Sequence, residues 1–338
     1  MQIKLPTLAT KPFGQTGMDI TRVGFGAWAI GGPDWLNGWG PQDDDESIAA
    51  IRHAVSRGIN WIDTAAIYGL GHSEEIVGRA LADIPKAERP YVFTKCGQVW
   101  DPNDRQSKIR VGKAASIKAE CEASLRRLNV ETIDLLQMHW PAEDGTLLEE
   151  YWGALLELRT EGKARFVGLS NHNADQLAQA EAMGHVDTFQ PGLSAINRRA
   201  AEKELPWCAA HGTGVICYSP MQSGLLTGRM TAERVAAMSA SDWRSRHTDF
   251  TTDLAANLKL VEAMAPVAER HNTSIASVAI AWVLAWNAVT AAIVGARDPE
   301  QVDGWLDAAN LELTPDDLDA IGAAILSARV GSGPAYPA

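Results

Sequence analysis

Short apolar runs recur along the chain, and each is followed by a stretch in which apolar residues fall three and four positions apart. The runs are RVGFGAW (22–28), INWIDTA (59–65), YVFTKC (91–96), TIDLLQMHW (132–140), ARFVGLSN (164–171), DTFQPGLS (187–194), GVICYSP (214–220) and TAAIVGA (290–296). Being apolar on both faces, they predict parallel strands covered on each side, since a strand with one face in water alternates with polar residues. Segments 44–58 and 114–128 predict amphipathic helices, and in the first acidic residues lead and basic ones trail, matching the helix dipole.

Eight alternations without a linker-like break predict an α/β fold, a closed (β/α)8 TIM barrel forming a single domain over residues 1–338. An open doubly wound sheet would show fewer strands and a glycine-rich first turn, and no GxGxxG opens a helix here. Residues 11–20 predict an N-terminal β-hairpin across the barrel bottom, and 229–256 an insertion after strand 7. Residues 314–329, with Thr314 as cap and Pro315 at the first helical position, predict a terminal helix.

The formal charge of −12 and pI near 5.1 speak against a nucleic-acid partner, because binding a phosphate backbone needs clustered Lys and Arg. An anionic ligand therefore requires a local basic site. No run approaches the roughly 20 apolar residues that span a bilayer, and the N-terminus lacks a signal-like apolar core. A cytoplasmic protein with no membrane partner, a monomer or small homo-oligomer, is the expectation. Cys96, Cys121, Cys208 and Cys217 show no CxxC spacing, so reduced, packed thiols are expected rather than disulfides or a metal site.

In such a barrel the strand C-termini form the active face. Asp63 ends the second run with Tyr68 just beyond it, Lys95 ends the third and His139 the fourth. Singly, each has an ordinary structural role as a cap, a packing ring or a solvated charge. Together they deliver an acid, a phenol, an amine and an imidazole to one rim. A phenol, with a reference pKa near about 10, donates a proton poorly at neutral pH unless its neighbours favour ionisation. An ammonium held by a carboxylate supplies that bias, and an imidazole can orient a carbonyl oxygen. The set suits proton transfer to a carbonyl as it becomes an alcohol.

The chain holds 12 Trp, and Trp28, Trp35, Trp39, Trp100 and Trp140 follow strand ends or lie in rim loops. Either they line an aromatic pocket or they pack loops against the barrel. Trp28 and Trp140 adjoin the catalytic candidates most closely, and with Tyr68, His139 and Trp100 they form the expected substrate pocket. His72 either touches substrate or begins a helix.

Over nearly its whole length the chain resembles the aldo-keto reductases, in GFGAWAIGG (24–32), DTAAIYGLGHSEEIVGRAL (63–81), FTKC (93–96), IDLLQMHWP (133–141), KARFVGLSN (163–171), YSPMQSGLLTGR (218–229) and IVGARDPEQV (293–302). The resemblance implies Tyr68 as general acid, Lys95 and Asp63 as its tuning pair, and His139 as the group that positions the carbonyl. It also implies a nicotinamide cofactor, NADPH with NAD as the other possibility. Ser170, Asn171 and Gln190 match the carboxamide contacts, Tyr218 the ring that stacks on nicotinamide, and Gly26, Ala27, Trp28 and Asp63 the rim beside it. Ser219, Pro220, Met221, Ser223, Gly224 and Leu225 resemble the loop over the pyrophosphate, with the last three as main-chain N–H donors. Gly295 and Arg297 match the eighth strand end, Arg297 at the position of a 2′-phosphate contact, and Gln301 an adenosine contact. Many members carry Glu-Asn where this chain has Gly304-Trp305; Trp305 either stacks on adenine or packs a helix.

These residues imply an NADPH-dependent reductase of aldehydes or ketones. The alternatives are an NAD(P)+-dependent sugar dehydrogenase and a cofactor-binding regulatory subunit with little turnover. The substrate is expected to be a small carbonyl compound or sugar.

Overall fold

The computed structural model describes residues 7–33, 35–239 and 242–337. Among the described residues there are twelve strands: β1 (Thr10–Pro12), β2 (Asp19–Thr21), β3 (Val23–Gly26), β4 (Trp61–Asp63), β5 (Tyr91–Cys96), β6 (Gln98–Asp101), β7 (Asp104–Arg110), β8 (Ile133–Met138), β9 (Ala164–Ser170), β10 (Thr188–Gln190), β11 (Gly214–Cys217) and β12 (Ala291–Gly295). Eight of them, β3, β4, β5, β8, β9, β10, β11 and β12, close in that order into a parallel barrel. Each expected apolar run contains one barrel strand. All but β5, which matches its run, are shorter than the runs because the rim residues leave the ladder to form loops.

Helices cover the outside, among them Asp44–Ser56 and Ala114–Leu128, which occupy the two amphipathic segments. The terminal helix Pro315–Ala328 starts in a capping box, with the Thr314 side chain accepting from the Asp317 N–H and Asp317 accepting in return. Among the described residues, no helix is long and apolar enough to cross a membrane.

Two apolar layers result. The larger one fills the space between strands and helices. The smaller one, built from Phe13, Met18, Ile20, Trp61, Phe93, Leu135, Ile216, Ala291 and Ile293, fills the lower barrel. Its first three members come from the expected hairpin: β1 pairs with β2 antiparallel, and Phe13 stacks on Phe93 at 5.7 Å. Gly24 makes room for Trp61, since a Cβ there would meet the indole at 2.1 Å. With the bottom plugged by apolar rings, polar side chains on the strands gather at the other end.

Between β11 and β12 the expected insertion contains a short helix, Ala232–Ala236, and two 3₁₀ turns, Trp243–Arg246 and Thr248–Phe250, before the helix Leu254–Arg270. A second hairpin, β6–β7, rises directly from β5. The apolar pattern does not predict it, because β7 reads DRQSKIR; the turn-forming Asp101-Pro102-Asn103 before it was the available signal.

Candidate active site

Asp63, Lys95 and His139 stand at or just beyond the C-terminal ends of β4, β5 and β8, and are 3%, 1% and 8% exposed. Lys95 Nζ donates to Asp63 Oδ2 at 2.6 Å and to the Thr64 carbonyl at 2.8 Å. The other carboxylate oxygen of Asp63 accepts from Gln190 Nε2 at 2.9 Å. Burial pushes the carboxyl up and the ammonium down, while each pulls the other back toward its charged form.

Tyr68 returns to this rim because the chain turns sharply after it. Gly69, Leu70 and Gly71 all have positive φ, at 62°, 59° and 100°. A Cβ on Gly69 would lie 2.0 Å from the Gly31 carbonyl oxygen, so the turn rests main chain on main chain against the loop after β3. Lys95 Nζ then sits 5.3 Å from the centre of the Tyr68 ring, and the His139 ring meets it edge-on at 5.7 Å. The four catalytic candidates are thus brought together.

The electrostatics differ from expectation in one respect. Burial, then Asp63, then Tyr218 push the Tyr68 phenol well above its usual value, opposite to the bias expected from Lys95. The physical reason is first that burial disfavours the phenolate, and second that the Asp63 carboxylate lies against Lys95 and offsets its charge. His139 is driven well below its usual range by burial and by the cations Lys95, Lys108 and Arg110, so its imidazole is neutral. Among the described residues its buried Nδ1 has no hydrogen-bond partner.

Beside this centre, Asn171 adopts φ 63° and sends its amide to the His139 carbonyl and to Ser170 Oγ, both at 3.0 Å. The Tyr218 hydroxyl donates to Asn171 Oδ1 at 2.7 Å, and the Ser170 hydroxyl donates to the Gln190 carbonyl at 2.9 Å. The Tyr218 ring passes Gly192 so closely that a Cβ there would lie 3.0 Å from it. Gly26 and Gly295 are register partners between β3 and β12, where a Cβ on Gly26 would lie 2.7 Å from the Ile293 side chain, and Ala27 N–H is tied to the Asp63 carbonyl. A flat ring carrying an amide suits this combination of a phenol wall, hydroxyl and carboxamide.

In the following loop Ser219, Gln222, Ser223 and Gly224 have positive φ, with Pro220 and Leu225 buried and Met221 packed on the core. The Gly224 and Leu225 N–H groups already donate to the Met221 and Gln222 carbonyls, so two of the three expected donors are engaged. Gln222, which the sequence reading missed, clamps the loop by bonding Ser194 and Asp249, each at 2.7 Å. Arg297 bonds the Gln42 side chain and the Pro41 carbonyl, while Gln301 is held by Asp298 and the Arg297 N–H. Trp305 is 3% exposed within the main core, which removes it as a stacking surface for adenine.

On the substrate side Trp28 stacks near Tyr68 at 6.3 Å and meets Trp39 edge-on at 5.2 Å. Trp100, on β6, packs against the small cluster of Trp35, Ala65 and Ile67. Trp35, absent from the expected pocket, lies 6.2 Å from the Tyr68 ring. Trp140 has Arg110 over one face at 4.3 Å, which closes that face to a ligand. His72 begins the helix His72–Ala82 and bonds Asp44 at 2.9 Å. All four cysteines are buried and unpaired.

A parallel eight-stranded barrel with a Tyr, Lys, Asp and His gathered at its C-terminal mouth defines the class of barrel oxidoreductases acting on carbonyls and alcohols. Residues 22–325 match the model of the Aldo/keto reductase family, and the chain belongs to that family. It is 35% identical over 319 residues to the NADH-specific methylglyoxal reductase of Escherichia coli (strain K12), covering 90% of this chain and 95% of the relative. It is 34% identical over 304 residues to the aldo-keto reductase YhdN of Bacillus subtilis (strain 168), covering 89% of each. Among solved structures, the glycerol dehydrogenase AKR11B4 from Gluconobacter oxydans superposes with a TM-score of 0.86 at 36% identity, over 98% of both chains.

Proposed function

We propose that the protein reduces aldehydes or ketones to alcohols, with Tyr68 as proton donor and NADPH as the preferred reductant. The observation that carries this reading is the buried chain Gln190–Asp63–Lys95 beneath a phenol that a neutral imidazole meets edge-on. Nicotinamide, when bound, supplies hydride to the carbonyl carbon. Neutral His139 has one ring N–H to offer the carbonyl oxygen, which fixes the substrate's orientation. Tyr68, held protonated by burial, gives its proton to that oxygen as negative charge develops there. Lys95, fixed by Asp63, keeps a positive charge near the phenol ring as the phenolate forms.

Ser170, Asn171 and Tyr218 would hold the nicotinamide, and Arg297 the 2′-phosphate. Support for the last assignment is that both partners of its guanidinium among the described residues, Gln42 and the Pro41 carbonyl, are neutral. A reading with NADH is favoured by the relative named as NADH-specific. An oxidative direction is favoured by the neighbour named as a glycerol dehydrogenase.

A panel of aldehydes, ketones, aldoses and alcohols with both cofactors, followed by nicotinamide absorbance, tests the reaction class and direction. Tyr68→Phe is expected to lower kcat by about 10²–10⁴-fold with cofactor affinity retained, and near wild-type turnover would remove Tyr68 from the mechanism. Arg297→Ala is expected to weaken NADPH by about ten- to hundredfold and NADH little, as read by calorimetry. Equal losses for the two cofactors would put the NADH reading first.

A further inference from the structure

On a chain of formal charge −12, the substrate side of the mouth is unexpectedly basic. Hairpin β6–β7 leans across it and brings Lys108 and Arg110 into the field felt by His139, whose basicity both depress. Arg110 lies over Trp140 and is paired with Glu143. Lys108 differs. Its Nζ donates to Asn37 Oδ1 at 3.1 Å, and among the described residues no carboxylate lies within ion-pair distance of it.

The position of Lys108 is fixed by a short relay from the catalytic phenol. The Trp28 ring lies 6.3 Å from the Tyr68 ring, its indole N–H donates to the Asn37 carbonyl at 3.1 Å, and the Asn37 side chain receives Lys108. The ammonium therefore stands on the wall formed by Trp28, on the Tyr68 side of the mouth. Holding a half-buried cation against a neutral amide is costly unless an anion completes the site. Burial and then the neighbouring Arg110 lower the Lys108 pKa, and the Glu143 carboxylate, paired with Arg110 and beyond ion-pair distance of Lys108, offsets this only in part.

We propose that the substrate is a carbonyl compound carrying an anionic group, a carboxylate or a phosphate, which pairs with Lys108 at the mouth while His139 and Tyr68 engage the carbonyl. The inference rests on the carbonyl-reductase reading and adds the charge of the substrate to it. Lys108 acts in specificity, drawing the anion past the aromatic wall. Proton and hydride transfer remain with the groups already described.

The test uses the full-length enzyme and two matched pairs: butanal with succinic semialdehyde, and glyceraldehyde with glyceraldehyde 3-phosphate. The readout is the ratio of kcat/KM for the anionic member to that for its neutral partner. In at least one pair the ratio should be about ten- to hundredfold, and the pair that shows it identifies carboxylate or phosphate. Lys108→Met should bring that ratio toward unity, whereas Lys108→Arg should keep most of it. Raising ionic strength should lower it, since the site opens to solvent.

Ratios near or below unity in both pairs would overturn the proposal. So would equal loss on both members of a pair in Lys108→Met, which would show that Lys108 only braces the hairpin against Asn37. If no carbonyl or alcohol in either cofactor is turned over at all, the reductase reading fails, and the proposal with it.

Discussion

Lys95 and Asp63 are buried at 1% and 3% exposure, where removing one partner leaves an uncompensated charge. Lys95→Met and Asp63→Asn are each expected to lower both kcat and the melting temperature. The double variant should lose less activity than the two single losses combined, because the pair acts as one unit on Tyr68. Strict additivity in rates measured well below the melting temperatures would mean that they act separately. A second buried group makes stability depend on pH. His172 Nδ1–H donates to the Ser170 carbonyl and its Nε2 accepts from the Tyr151 hydroxyl, both at 2.9 Å, and burial pulls its pKa to about 4. Below its ordinary pKa near 6.5 the unfolded chain takes up a proton that the folded chain refuses. Stability must therefore fall as pH drops from about 6.5 toward 4, by up to about 3 kcal/mol. Urea midpoints at neutral pH and near pH 4.5 would show this, with a flatter dependence in His172→Gln; identical slopes would clear His172 of the effect.

At the scale of elements, the turn after Tyr68 is the joint on which the site depends. Gly69 and Gly17 both have positive φ, at 62° and 73°, yet only Gly69 would place a Cβ against backbone, whereas nothing lies within 4 Å at Gly17. Gly17→Ala should cost only the left-handed penalty of about 1–2 kcal/mol and leave kcat unchanged. Gly69→Ala must in addition displace the loop at Gly31, so it should destabilise more and lower kcat by moving the phenol. Equal effects of the two substitutions on stability and turnover would show that the contact with Gly31 does not hold Tyr68. The β6–β7 hairpin escaped the apolar pattern because its strands bury little; its place is set by side-chain contacts such as Lys108 to Asn37.

Across the whole molecule, the apolar plug and the buried polar groups lie at opposite ends of the barrel. Phe13 fills the bottom, fully buried against Phe93, while the polar groups collect at the top. Phe13→Ala should therefore cost about 3–5 kcal/mol in unfolding free energy while KM and kcat hold at temperatures where the variant stays folded. A large fall in kcat under those conditions would show that the bottom plug also sets the geometry of the mouth.

Much of this was legible in one dimension, for a physical reason: a strand buried on both faces must be apolar throughout, and a helix lying on a barrel must be apolar at a period of 3.6. Those constraints are local, so eight runs and their helices specify the barrel, and the strand ends specify where Asp63, Lys95 and His139 stand. Tertiary structure decided what depends on neighbours distant in sequence. The upward shift of the Tyr68 phenol follows from its burial and then from Asp63 lying against Lys95, and no spacing expresses desolvation. Trp305, for which the sequence left stacking on adenine or packing a helix open, is buried in the main core, and burial is set by neighbours that its own segment does not name. Asn37 and Gln42 gained their importance from Lys108, 71 residues away, and Arg297, 255 residues away. Such contacts exist only once the barrel closes and brings its loops to one face.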